Sequence, residues 1–215
     1  MTRLAKYRLY FTNKKFLLSV LTSFFLLFVS LIVNFYAGSY ATESASNSVT
    51  DIILSNIRTF DVDGIFVYGS VLLFVFITIL CLIEPNRIPF VLKSISLFVL
   101  IRAVFISLTH IGPFPTEAHI TSTLLDKFTF GGDLFFSGHT GIPFLMALIF
   151  WRDIYLRIIF ITSSILFGII VLLAHLHYSI DVLSAFFITY AIYRIAELLF
   201  KRDRETFLSG VGTTG

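Results

Sequence analysis

Four residues in this chain of 215 have the types and spacing to do chemistry together: Arg102, His139, His177 and Asp181. His177 and Asp181 stand four positions apart, so a helix beginning near His177 would set them one turn apart on a shared face. The carboxylate would then accept a hydrogen bond from one imidazole nitrogen. That fixes the tautomer and leaves the other nitrogen free to attack. His139 could protonate a departing oxygen. The planar fork of donors on Arg102 suits a phosphoryl group. Nucleophile, orienting carboxylate, acid and cation together describe phosphoryl transfer through a phosphohistidine.

Each residue also has a plainer reading. A histidine at the end of a membrane helix is commonly an interfacial side chain with its hydrogen bonds satisfied. A zinc site of His139, His175, His177 and Asp181 is chemically conceivable, but the ligands show no separate framework, and no metal is expected. Arg102 could pair with Glu197, yet Glu197 falls near the opposite end of its span. Lys93 reads as a snorkelling structural lysine, and Cys81 as an inert core residue.

The elements that would position these groups follow from composition. Hydrophobic residues make up 57% of the chain and charged ones 13%, against roughly 25% charged in an ordinary soluble domain. The mean hydropathy is +0.91. Such a chain cannot clothe a soluble globule in polar groups, and it lacks the high charge of a disordered one. A single cysteine rules out a disulfide scaffold. A net charge of +3, scattered along the chain, argues against nucleic-acid binding. What remains is an all-α integral membrane protein.

A spanning helix needs about 20 mostly apolar residues. Six runs qualify, near 16–36, 65–83, 90–109, 134–151, 155–174 and 180–200. The expected organisation is a basic N-terminus over 1–15, a six-helix membrane domain over 16–200 and a tail over 201–215. The first run is too long for the apolar core of a signal peptide and reads as an anchor. The small polar stretch at 210–215 reads as an unstructured end.

Basic residues set the orientation. Arg3, Lys6, Arg8, Lys14 and Lys15 precede the first span, and Arg87, Arg152 and Arg157 follow the second and fourth. Arg194, Lys201, Arg202 and Arg204 close the last. The two long loops on the other side hold only Arg58 and Lys127, and they are rich in Asp and Glu. Both termini are therefore expected in the cytoplasm. The histidines, which played no part in that assignment, all fall on the extracytoplasmic face. A transporter would spread polar residues through several spans, whereas spans one and two carry no charge.

The motifs resemble a known family. Gly131-Gly132-Asp133-Leu134-Phe135-Phe136-Ser137-Gly138-His139-Thr140 and His175-Leu176-His177-Tyr178-Ser179-Ile180-Asp181-Val182 look like the third and fourth motifs of the sphingomyelin synthase family. Arg102 with Thr109, Pro113 and Pro115 resembles the second. That family lies within the type-2 phosphatidic acid phosphatase superfamily. The resemblance implies six helices and a site on the outer or lumenal face. It makes His177 the nucleophile, Asp181 its partner and His139 the general acid, and places Arg102, Asp133, Ser137, Gly138, Thr109 and Tyr178 around the substrate. It further implies a membrane phospholipid donor, a lipid acceptor such as ceramide or diacylglycerol, and no cofactor. Water as acceptor would make the same residues a lipid phosphatase or a phospholipase C. A bacterial inner membrane is the expected setting. Two features depart from the wider superfamily. Val171 stands where an arginine usually precedes the nucleophile, and the usual first motif is absent.

Overall fold

Runs of Leu, Ile, Val and Phe become helices wherever capping residues and turns bound them. The computed structural model describes residues 3–117 and 135–209. Eight α-helices lie among them: α1 (Arg3–Thr12), α2 (Lys14–Glu43), α3 (Asp63–Ile83), α4 (Ile88–Leu108), α5 (Gly138–Ile149), α6 (Ile154–Leu173), α7 (Ser179–Leu199) and α8 (Lys201–Ser209). There is no strand among the described residues. Five helices are long and apolar enough to cross a bilayer: α2, α3, α4 with its preceding 3-10 turn, α6 and α7. This is a multi-pass, all-helical membrane protein.

The fourth expected span differs. The run 134–151 is helical only over the twelve residues of α5, about 18 Å against a hydrocarbon core of about 30 Å. Its start is fixed by Ser137, whose Oγ accepts from the Thr140 N–H, after Phe136 with φ of 36°. Within it, Pro143 removes the amide that would bond to the His139 carbonyl. Beyond it, Asp153 caps α6 by accepting from the Tyr155 and Leu156 amides. Residue 134 and the stretch 210–215 lie outside the described residues.

α4 is the central helix, with 56% of its span buried against 22–33% for the other four. α2 packs along it through small residues. Ser23, Ser30 and Ala37 recur every seven positions and are buried, and Ala37 and Ala41 meet Ala103 and Ile106. Small side chains let membrane helices approach closely. α5 is wedged between α4, α6 and α7. A Cβ on Gly141 would stand 2.6 Å from the Phe98 ring and 2.9 Å from Thr189 Oγ1. Ser164 Oγ of α6 donates to the Thr140 carbonyl at 2.7 Å.

At one end of the bundle α1, the α3–α4 turn and α8 come together. Lys6 pairs with Glu84 at 2.6 Å, and Asn86 Nδ2 donates to the Phe207 carbonyl. The basic N-terminal segment and the tail thus carry short helices, α1 and α8, docked on the domain. Lys93 does not snorkel. It is buried, donating to Ser19 Oγ at 2.8 Å and to Asp203 Oδ2 at 2.6 Å, because α8 brings a carboxylate to it. Glu197 bonds to Tyr193 and pairs with Arg194 and Arg204.

Candidate active site

The site is built at the other end, where α4 finishes and α5 and α7 begin. α6 ends in a tight reversal. The His175 N–H bonds to the Leu172 carbonyl and the Leu176 N–H to the Val171 carbonyl, the paired bonds of a helix that closes through one left-handed residue. That residue is His175, with φ of 56°, where glycine is usual. The reversal delivers His177 just before α7, whose first helical residue is Ser179. His177 therefore lies outside the helix, not on its first turn.

The four-residue spacing still brings the pair together. His177 Nδ1 is 3.6 Å from Asp181 Oδ2. That is an ion-pair distance, longer than a hydrogen bond, and such contacts commonly tighten when substrate binds. Asp181 is fully buried and is the third residue of α7. Its Oδ2 accepts the Tyr178 N–H at 2.9 Å, and the helix N-terminus favours its negative charge. Nδ1 of His177 faces the carboxylate, and Nε2 is the ring nitrogen turned away from it.

The other two groups converge on this point. The Ser137 N–H donates to the Asp181 carbonyl at 3.2 Å, which ties the start of α5 to the start of α7. Arg102, buried in α4, donates from Nε to the Phe136 carbonyl at 3.2 Å. A Cβ on Gly138 would lie 3.4 Å from that Nε, so glycine lets the guanidinium pass. His139 follows directly, its ring against Phe66 at 4.3 Å and within electrostatic range of both His177 and Arg102. Arg102, His139, His177 and Asp181 thus share one corner. Such a corner can present two imidazoles, a carboxylate and a guanidinium to one phosphoryl group.

The remaining expected site residues are placed differently. Ser137 caps α5. Thr109 turns back on α4, donating from Oγ1 to the Phe105 carbonyl. The Tyr178 phenol is buried, donating to the Gly112 carbonyl at 2.8 Å and accepting from the Val49 N–H at 3.2 Å. It fastens two outer segments to α7, and burial pushes its hydroxyl above the ordinary value. Asp133 lies outside the described residues. His175 Nδ1 contacts Thr116 Oγ1 at 2.6 Å and Thr59 Oγ1 at 3.3 Å, and burial lowers the pKa of its ring. Among the described residues no three His, Cys, Asp or Glu side chains are close enough to share a metal ion.

One contributor went unnoticed in the sequence. Asp51 sits in the loop between α2 and α3. Its Oδ2 accepts the Ser179 N–H at 2.7 Å, capping α7 beside the histidine. Its Oδ1 accepts from Ile53 and Leu54. The local cap is a recognisable Asp signal, but nothing local reveals a partner 128 positions away. Burial opposes the charge of Asp51, and the Ser179, Leu54 and Ile53 donors outweigh it, holding the carboxyl below its ordinary 3.8. A depressed folded-state pKa gives stability that is complete above the unfolded value and lost as pH falls through the folded one. Asp51→Ala is expected to cost about 1–2 kcal/mol near neutral pH. Thermal melts in detergent at pH 7 and below pH 4 should show the gap to the unaltered chain narrowing in acid.

Residues 131–198, which carry His139, His177 and Asp181, match the family described as PAP2 superfamily C-terminal. No curated protein and no solved structure matches the chain. The match supports the type-2 phosphatidic acid phosphatase superfamily and, with it, an enzyme of the lipid phosphatase or phosphotransferase type acting on lipid phosphates in a membrane.

Proposed function

We propose that the chain is a membrane-embedded lipid phosphotransferase of the sphingomyelin synthase type. His177 Nε2 attacks the phosphorus of a phospholipid. The bond from phosphorus to the glycerol oxygen breaks, and His139 gives that oxygen its proton, releasing diacylglycerol. The head group stays on His177 as a phosphohistidine. The hydroxyl of an acceptor such as ceramide then attacks the same phosphorus and returns a proton to His139, and the P–N bond breaks. Asp181 holds the His177 ring and stabilises its positive charge. Arg102 neutralises charge on the phosphoryl oxygens, with Asp133 a further site residue by resemblance. No metal or other cofactor has a step in this scheme. Both termini face the cytoplasm of a bacterial inner membrane, and the donor enters from the outer leaflet.

The observation that carries this reading is the meeting of His177 and Asp181 with His139 and Arg102, which come from three separate stretches of chain. Hydrolysis is the second reading, because the matched family is the wider superfamily and is not specific to its synthase branch. The acceptor separates the two. Purified chain is incubated with head-group-labelled phospholipid, with and without ceramide or diacylglycerol, and the lipids are resolved by thin-layer chromatography. Label is expected in a new lipid only when acceptor is present. Free phosphate released from phosphatidate, with no transfer, would decide for hydrolysis.

A further inference from the structure

A second polar site lies at the end of the bundle away from the histidines, and it is independent of the transfer reaction. A cavity of about 260 Å³ opens there among the start of α2, the first turns of α4 and α8. Its charged lining is Lys15, Lys93, Arg202 and Asp203. Three cations against one carboxylate leave a surplus of two positive charges. The carboxylate is already engaged, taking the Ser19 hydroxyl on Oδ1 and Lys93 on Oδ2. Lys93 Nζ donates to Ser19 and Asp203 and lies over the Phe200 ring, 5.7 Å from its centroid, so it adds positive charge to the cavity wall. The Ser19, Thr22 and Thr206 hydroxyls also line the cavity, but their protons go to Asp203 and to the Ser19 and Arg202 carbonyls, so the cations are what face an anion.

The cavity opens onto lipid-facing surface. Leu18, on its rim, is 63% exposed, and Leu21, Phe25 and Phe28 continue the exposed stripe down α2. Their spacing of three and four keeps them on one helix face. A cationic cavity above an apolar stripe matches a molecule with an anionic head and an acyl tail. A zwitterionic head group would bring its own cation towards three others.

We propose that this cavity binds the head group of a net-anionic phospholipid from the leaflet at the N-terminal end of α2. The phosphate sits between Lys15 and Arg202 in the field of Lys93, and an acyl chain lies along Leu18 and Phe25. Each basic residue near a membrane surface adds about 1 kcal/mol of attraction to anionic lipid, so losing two corresponds to about 30-fold in affinity.

Native mass spectrometry of the full chain in detergent tests this with phosphatidylglycerol and phosphatidylcholine as probes. Phosphatidylglycerol is expected to bind at least about tenfold more tightly than phosphatidylcholine. Lys15→Gln with Arg202→Gln should remove one bound phosphatidylglycerol, weakening it about 30-fold. The charge-conserving pair Lys15→Arg with Arg202→Lys should retain it. Arg102→Gln should also retain it, which separates this site from the proposed catalytic one. Equal retention of the two lipids, or unchanged binding in the double Gln variant, overturns the proposal. So does displacement of the lipid by millimolar inorganic phosphate, which would mark a site for the free anion.

Discussion

Alanine at position 177 is expected to lower lipid conversion by at least about 10⁴-fold, because in the proposed mechanism the imidazole forms the covalent intermediate. Water has neither its nucleophilicity nor its place beside Asp181. The loss should fall on kcat, since binding of the lipid tails does not involve the ring. Asp181→Asn, which keeps the shape and removes the charge, should cost about 10²–10⁴-fold, as the histidine loses its tautomer and its counter-charge. A trapping experiment makes the assignment specific. The unaltered chain, quenched during a single turnover of labelled donor, should carry an acid-labile, base-stable phosphoryl adduct, and the His177→Ala chain none. Undiminished conversion by either variant would falsify the catalytic assignment.

Arg102→Lys should lower kcat/KM by about 10²–10³-fold although it keeps the charge, because an ammonium cannot reproduce the planar fork that bonds to backbone and, in the proposed mechanism, clamps the phosphoryl group. In the structure that fork does two jobs. Nε holds the Phe136 carbonyl, in a residue whose left-handed backbone is strained. The side chain passes beside Gly138, where a Cβ would meet its Nε, Cδ and Cζ at 3.4–3.9 Å. Arg102→Ala should therefore lose activity further and also destabilise by about 1–3 kcal/mol, the cost of leaving a buried carbonyl without its donor. Kinetics on a soluble short-chain donor, alongside thermal melts, distinguish the two roles. An Arg102→Lys chain with unaltered kcat/KM would remove this residue from the site.

Much of this was legible in the chain itself. Five spans announced themselves because uninterrupted apolar runs have one stable answer in lipid. The fourth run, near 134–151, was misjudged in length because hydropathy registers Phe135 and Phe136 as span material, whereas the backbone turns at Phe136 and loses an amide at Pro143. The pairing of His177 with Asp181 survived because a spacing of four works across the start of a helix as well as within it. Tyr178 resembles a substrate contact by its place in the motif, yet its hydroxyl reaches Gly112 and Val49. Asp51 and the Lys93–Asp203 pair could not be read at all. Each joins positions more than a hundred residues apart, and periodicity carries no information at that range.

The fastening of α7 by Asp51 and Tyr178 has a consequence for biogenesis. Segments near the N-terminus leave the ribosome first, so Asp51 and Val49 are in place long before Ser179 and Tyr178 emerge to meet them. A truncated product holding only α5 to α8 would carry His139, His177 and Asp181 but lack Asp51 and Val49, which hold the start of α7. A chain made only as far as α6 would lack His177, Tyr178 and Asp181, so the proposed site could not assemble until α7 has emerged.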